Sequence, residues 1–401
     1  MAFNIQVFVL LMVAATLEAV SLYRAVDEKN STHALKAVSR SNNNFTVDLL
    51  KAIEGDRNEN LVISPLSLHA ALGFLAQGAQ GSTKQQILKA AYLPSDDNAT
   101  REGFRAMLHP LRNNTNYTLH LANAAFVEKS FPLKQSFREV ARSSFMADAK
   151  TVDFANNASG AIDAINQWAK NSTAGKIRNF MSQNDADSKT KFVLANALYF
   201  NGTWEKGFNA SQTKKRPFHV NSETTVQTDM MTTTAGFNYT YSKELGAQVL
   251  ALNYKGGDIR MIIGLPDNID GLEALESKID ELKKTMGKLF PQTVNVTLPK
   301  FKIEQEIYYD NILQKLGITE VFSPEANLSG ISDVNRLAIS NVKQKAVIEV
   351  SENGTVSSAA TETTGTTLSQ TYDFIADHGF LYLIEHVPTS AVIICGRYTK
   401  P

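Results

Sequence analysis

Between the apolar run ending at Val350 and the apolar runs that close the chain lies the stretch Glu352 to Gln370, reading E-N-G-T-V-S-S-A-A-T-E-T-T-G-T-T-L-S-Q. It holds almost no large apolar side chain before Leu368, so it cannot fill a core and is expected as exposed loop. It also lacks proline and is rich in β-branched Thr, which suits extended backbone. Any fold this chain adopts must leave outside its core a segment that is competent to be a strand.

Side chains alternate across a strand, so the segment sorts into two faces. Thr355, Ser357, Ala359, Thr361 and Thr363 share one face, all small and uncharged; Val356, Ser358, Ala360, Glu362 and Thr364 share the other. Only the second face carries a charge, Glu362. The first face could be covered by a sheet's core at little cost, whereas burying an unpaired charge costs on the order of several kcal/mol. Gly354 at the start supplies the backbone freedom a hinge needs. A Ser/Thr-rich linker is the alternative that composition leaves open.

The fold has no covalent help. Cys395 is the single cysteine among 401 residues, so no intrachain disulfide can form and the core alone must hold the structure. A chain with 43% apolar and 20% charged residues has the composition of an ordinary globular protein. The formal net charge is zero, which argues against a nucleic-acid partner. Lys214, Lys215 and Arg216 form a compact basic cluster that reads as a solvated turn, and glycosaminoglycan binding is not expected.

The first residues, M-A-F-N-I-Q-V-F-V-L-L-M-V-A-A-T-L-E-A-V-S, read as a secretion signal over residues 1–20, cleaved near Ala19 or Ser21, although the usual basic start is missing. No stretch is long enough for a convincing membrane span. Sequons agree with a secreted, extracellular glycoprotein: Asn98, Asn113, Asn116, Asn209 and Asn238 are the expected glycosylation sites, and Asn157, Asn171, Asn201, Asn295 and Asn327 fit the same triplet.

Ser31 to Glu54 is predicted as a helix interrupted by an Asn run. Ser64 and Pro65 then start a second helix, with Gly78 or Gly81 as its stop. Its Ala70, Ala71, Leu72, Phe74 and Leu75 make it apolar nearly all round, as a buried helix is. Ile162, Ile165, Trp168 and Ala169 mark one amphipathic surface helix, and Leu272, Leu275, Ile279, Leu282 and Met286 mark another. Strand signals follow the runs L-A-N-A-A-F-V, F-V-L-A-N-A-L-Y-F, Q-V-L-A-L-N-Y, R-M-I-I-G-L-P, V-N-V-T-L-P-K-F-K-I, A-V-I-E-V, F-L-Y-L-I and A-V-I-I-C. Helices lead in the first third and strands in the last, so the class is α+β with large mixed or antiparallel sheets, in one domain.

Catalytic motifs are missing. The chain has no G-x-S-x-G, H-E-x-x-H, P-loop, G-x-G-x-x-G or C-x-x-C, and its histidines are scattered. An enzyme is not expected, nor a metal or cofactor, and the function must reside in the fold.

The motifs N-L-V-I-S-P-L-S-L-H-A-A-L (60–72), G-A-Q-G-S-T (78–83), F-V-L-A-N-A-L-Y-F-N-G-T-W-E-K-G-F (192–208), L-P-K-F-K-I (298–303), L-G-I-T-E-V-F-S (316–323) and A-N-L-S-G-I-S (326–332), with G-T-V-S-S-A-A-T in the loop, together resemble the serpins in order and spacing. The resemblance implies a serpin domain over 35–401 with three β-sheets, about nine helices and an exposed reactive-centre loop at about 352–372. It implies a monomer that traps serine proteases covalently: the loop is cut and inserts as a strand, carrying the acylated enzyme with it. Gly354, Thr355, Ala359, Ala360 and Thr361 match the hinge, and the usual spacing puts the scissile bond at Leu368–Ser369. Trp204 matches the tryptophan where the loop enters the sheet. Ser64, Ser67 and Asn196 match a polar cluster beneath the opening strands.

Three departures stand out. Val356, Ser357 and Ser358 replace a glutamate and alanines, Gln344 replaces the cluster's histidine, and Gly379 replaces a proline. Two functions remain: an inhibitor of chymotrypsin-like enzymes (chymotrypsin, cathepsin G, chymase), with elastase as a further candidate, or a non-inhibitory carrier, storage protein or chaperone. The hinge favours the first, since it carries no bulky, charged or proline residue.

Overall fold

The computed structural model describes residues 30–53, 58–112, 114–353 and 370–401. Helix α1 runs over residues 30–52, through the Asn run that was expected to interrupt it. Tertiary partners explain the difference: the Asn42 amide donates to the Val392 carbonyl at 3.1 Å and the Asn43 amide to Ser390 at 2.8 Å. These side chains bond to a distant turn instead of competing for their own helix backbone.

Ser64 caps α2 (Pro65–Gly78), its oxygen accepting from the Ser67 amide at 3.2 Å. Every α2 residue except Gln77 is buried, as its all-round apolar pattern requires. Gly78 is its last residue, and glycine is needed there because a Cβ would lie 2.2 Å from the Ile331 side chain. Three further helices follow, α3 (Gly81–Ala90), α4 (Asp97–Arg112) and α5 (Gln135–Ser144). The second predicted surface helix splits at Lys278 into α7 (Leu272–Ser277) and α8 (Ile279–Met286), and α9 spans Asp310–Lys315.

A five-stranded sheet lies in front of α2. Its strands are β2 (Tyr117–Glu128), β3 (Ala147–Val152), β4 (Phe192–Gly202), β10 (Phe301–Tyr308) and β11 (Asn341–Val350), in the order β10-β11-β4-β2-β3. Helix α6 (Phe154–Ser172), capped by Asp153 and kinked at Asn157, crosses its other face.

The remaining strands join in one nine-stranded network: β1 (Leu61–Ile63), β5 (Lys214–His219), β6 (Thr225–Ser242), β7 (Ala247–Asn253), β8 (Ile259–Pro266), β9 (Phe290–Pro299), β12 (Thr371–Ile375), β13 (Phe380–His386) and β14 (Ala391–Tyr398). Two of the three expected sheets meet here because the long β6 belongs to both. Its first part pairs with β5 and β9, and its last residues, Asn238–Ser242, pair with β7. The apolar run 294–303, read as one strand, is cut at Lys300 into β9 and β10, which belong to different sheets. β14 is buried throughout, hydrogen-bonded between β1 and β13 and packed on α2.

Candidate functional site

The site is a seam. β4 and β11 pair in parallel, from Asn341 opposite Val193 to Glu349 opposite Asn201, while β10 and β2 flank them antiparallel. The chain leaves the C-terminal end of β11 toward the polar stretch, so a segment turning back there would run antiparallel to both strands of the seam. Such a strand would exchange one slanted parallel ladder for two antiparallel ones. The hinge residues Gly354, Thr355, Ala359, Ala360 and Thr361 and the bond Leu368–Ser369 lie outside the described residues.

Alternation gives the seam two faces. Toward α2 point Leu194, Asn196, Leu198 and Phe200 of β4 with Gln344, Ala346 and Ile348 of β11. Toward α6 point Val193, Ala195, Ala197 and Tyr199 with Val347, beneath Ile162, Ile165 and Trp168. The alanines keep that face shallow where α6 crosses it.

Ser64, Ser67, Asn196 and Gln344 converge at the middle of the seam, all of them buried. Gln344 and Asn196 face each other in register, and the Gln344 Nε2 donates to the Asn196 Oδ1 at 2.9 Å. That amide also donates to the Ser64 carbonyl at 3.1 Å, while its Oε1 accepts from the Ser64 amide at 2.8 Å and the Tyr309 hydroxyl at 3.1 Å. Gln344 thus fills its donor and acceptor capacity, which answers the question its replacement of histidine raises. Asn196 in turn donates to the Ser67 hydroxyl and, at 2.5 Å, to the Asn123 Oδ1. Asn123 and Tyr309 are members that sequence reasoning missed. Asn123 sits inside the predicted strand L-A-N-A-A-F-V, where a polar residue amid apolar ones was the available signal.

At the upper end Trp204 holds the departing chain. Its indole Nε1 donates to the Ser351 carbonyl at 2.8 Å and its backbone amide to the Asn353 carbonyl at 2.9 Å, while the ring stacks on Tyr254 at 4.3 Å. Glu352 is fixed by the Thr213 hydroxyl at 3.0 Å and by Lys300 at 2.9 Å. Burial works to raise its carboxyl, but the Lys300 ammonium, its own backbone amide and the Thr213 hydroxyl together hold it below the usual range. At the lower end the buried Lys343 ammonium meets Asp185 at 2.8 Å, Glu306 at 2.9 Å and the Tyr308 hydroxyl at 2.9 Å. Lys345 meets Glu306 at 2.7 Å and Glu304 at 3.0 Å.

A family model described as serpin (serine protease inhibitor) matches residues 40–401. The chain is a serpin. It is 35% identical to the leukocyte elastase inhibitor of Sus scrofa, over 92% of this chain and all of the relative, and 32% identical to serpin B3 of Homo sapiens over the same shares. Among solved structures, Serpin48 of the insect Tenebrio molitor superposes with a TM-score of 0.82 at 33% identity, covering 91% of this chain and 98% of the other. Serpins are protease inhibitors rather than catalysts.

These relatives overturn the expectation of a secreted, extracellular protein: the leukocyte elastase inhibitor and the B-type serpins form an intracellular clade that lacks secretion signals. The expectation rests on an apolar run without the basic start of a signal, and on sequons, which are local triplets that carry no information about compartment. The run itself lies outside the described residues. Of the sequons, Asn98 and Asn209 are exposed, Asn116 and Asn238 are half-buried, and Asn113 lies outside the described residues.

Proposed function

We propose that this serpin inhibits serine proteases as a suicide substrate, with Leu368–Ser369 as the reactive bond. The supporting observation is the parallel β4–β11 seam with a polar, proline-free segment leaving its end. In the reaction the protease's serine oxygen attacks the Leu368 carbonyl carbon, and the Leu368–Ser369 bond breaks. The released Ser369 amine takes the proton handed on by the protease's histidine, and an acyl-enzyme ester remains. Insertion of the freed loop between β4 and β11 competes with water for that ester. The small uncharged face from Thr355 to Thr363 meets the core side, and the ester survives if insertion is faster.

A scissile Leu368 fits an apolar primary pocket and leaves an Asp-bottomed one without its cation, so chymotrypsin-like enzymes are the targets. Relatives named leukocyte elastase inhibitor favour a second reading, an elastase-type target reached by a cut at Thr366 or Thr367. The test is to mix the protein with chymotrypsin and run a boiled denaturing gel. A covalent band of summed mass is expected, and mass spectrometry of the released peptide is expected to start at Ser369. Cleavage without a covalent band turns the reading to the non-inhibitory carrier. Leu368→Arg is expected to move inhibition from chymotrypsin to trypsin.

A further inference from the structure

The two faces of the seam are tied by different chemistry. On the α2 side the tie is the amide bond from Gln344 to Asn196. On the α6 side β4 presents Val193, Ala195 and Ala197, which have no polar side-chain atom, and then Tyr199. The Tyr199 hydroxyl reaches over the seam and donates to the Glu349 Oε2 at 3.0 Å. Asn201, opposite Glu349 in the ladder, adds a longer bond from its Nδ2 to the Glu349 carbonyl at 3.4 Å. Glu349 belongs to the last pair of the parallel ladder, at the end where the chain leaves β11.

Cations hold this bond from both flanks. Lys176, just beyond the end of α6, places its Nζ 4.7 Å from the centre of the Tyr199 ring, and Lys302 of the edge strand β10 meets the Glu349 Oε1 at 3.1 Å. Tyr199 is only 2% exposed. Burial raises its phenol above the ordinary value, against the Lys176 ammonium and with the Glu349 carboxylate, so the hydroxyl remains a donor at neutral pH. Burial also pushes the Glu349 carboxyl up, but the Lys302 ammonium and the Tyr199 hydroxyl outweigh it and keep the group ionised as the acceptor. A hydrogen bond to an ionised group is about twice as strong as one between neutral groups.

A strand entering between β4 and β11 moves them apart by one strand spacing, about 4.8 Å, which a bond of this length does not span. Entry begins at the end that carries Glu349. Among the described residues, Tyr199–Glu349 is therefore the first bond between side chains of β4 and β11 in the path, three pairs above Asn196 and Gln344. The Lys302–Glu349 pair is not in that path, because β10 and β11 lie on the same side of the opening. We propose that Tyr199 and Glu349 form a clasp over the mouth of the seam, positioning residues that hold β4 against β11 and set the rate at which a strand enters. This rests on the inhibitory reading above. The acyl-enzyme ester stays open to water for as long as the clasp stays shut, so the clasp fixes the share of protease that escapes.

The test uses the intact full chain without any protease. A fluorescein-labelled peptide of residues 355–366, T-V-S-S-A-A-T-E-T-T-G-T, is offered as the entering strand, and its uptake is followed by anisotropy. Tyr199→Phe keeps the ring and removes the donor, and is expected to speed uptake about tenfold, or ~1.4 kcal/mol of barrier. Glu349→Gln retains an acceptor and is expected to stay within about threefold of the native chain. Glu349→Ala breaks the same bond as Tyr199→Phe, so the double variant is expected to be no faster than either single one. The melting temperature of the loop-cleaved form is expected to be the same with Tyr199→Phe, because there the clasp is already open. Equal uptake by the native chain and Tyr199→Phe would remove the clasp and leave insertion standing. No uptake by any form would remove insertion itself and the clasp with it. Faster uptake together with a cleaved form that melts earlier would reduce Tyr199 to a structural residue and overturn the proposal.

Discussion

β2 and β3 run parallel over Asn123–Glu128 and Ala147–Val152, and β4 and β11 run parallel over Val193–Asn201 and Asn341–Glu349, yet the two joints are finished differently. The end of the first is clamped. The buried Glu128 carboxylate accepts from the Phe154 and Ala155 amides at 2.6 and 3.1 Å, the Lys129 amide donates to the Val152 carbonyl at 2.8 Å, and the chain passes from β3 straight into α6. The end of the second is held by Trp204 and Glu352, beyond which the chain continues into the polar stretch. A parallel pair is thus not in itself a place where a strand enters. Entry needs a segment that leads away from its end, and of these two joints it is β4–β11 whose chain leads on into the polar stretch.

The largest test of this difference is thermal. Cutting the loop is expected to raise the melting temperature by tens of degrees, because the segment then adds two antiparallel ladders to the seam. Calorimetry of intact and cleaved protein reads it directly. Coincident melting would mean that no strand enters and that the two joints are equivalent.

Next comes the entering segment. Thr355→Arg places a charge on the core-side face, at a desolvation cost of several kcal/mol, where each ~1.4 kcal/mol of barrier slows insertion about tenfold. The stoichiometry of inhibition is expected to rise until the protein behaves as a substrate, while Ser358→Arg on the opposite face changes it little. Equal loss at both positions would remove the face assignment.

A smaller effect separates the joints themselves. Gln344→Leu strips the amide bonds that tie the seam together and is expected to lower the stability of the intact form by about 2–4 kcal/mol. The cleaved form is affected less, since a strand inserted between Gln344 and Asn196 already parts them. Glu128→Ala, at the clamped joint, is expected to destabilise intact and cleaved forms alike by roughly 2 kcal/mol. Denaturant midpoints of the four samples distinguish the two patterns.

The smallest effect is in pH. Burial works to raise the Asp185 carboxyl, but the Lys343 ammonium and the Ser182 and Tyr308 hydroxyls outweigh it and hold it at about 2. The folded value lies below the unfolded one near 3.9, so this group's stabilisation is present above that pH and is lost as pH falls toward 2. Asp185→Asn is expected to flatten the urea midpoint between about pH 4 and pH 2. The middle of the seam, built on the amide of Gln344, adds no pH dependence between 5 and 8.

Much of this was legible in the residues. Ser64, Pro65 and Gly78 bound α2 where cap and stop chemistry place them, and Ser64, Ser67, Asn196 and Gln344 lie in one buried hydrogen-bonded cluster. What failed to show depends on distant partners. Asn42 and Asn43 look like helix breakers until Ser390 and Val392 take their amides. Within the run 294–303 Pro299 is a local sign that a strand ends, but that Lys300 divides two different sheets shows only in the pairing. β6, rich in Thr and with few branched aliphatics, gave no strong apolar period because it is half-exposed along much of its length. Asn123 gains meaning only from the neighbouring strand, through Asn196.

The position of β14 has a consequence for how the chain is made. The strand lies between β1 and β13 and against α2, elements drawn from opposite ends of the sequence. Until Ala391–Tyr398 emerges from the ribosome, β1 has no strand to pair with and α2 lacks one of its walls. At ~5–20 residues per second, synthesis leaves these apolar surfaces uncovered for tens of seconds. Folding of these elements therefore waits on Ala391–Tyr398, and a nonsense mutation just before Ala391 would leave β1, β13 and one side of α2 without the strand that joins them.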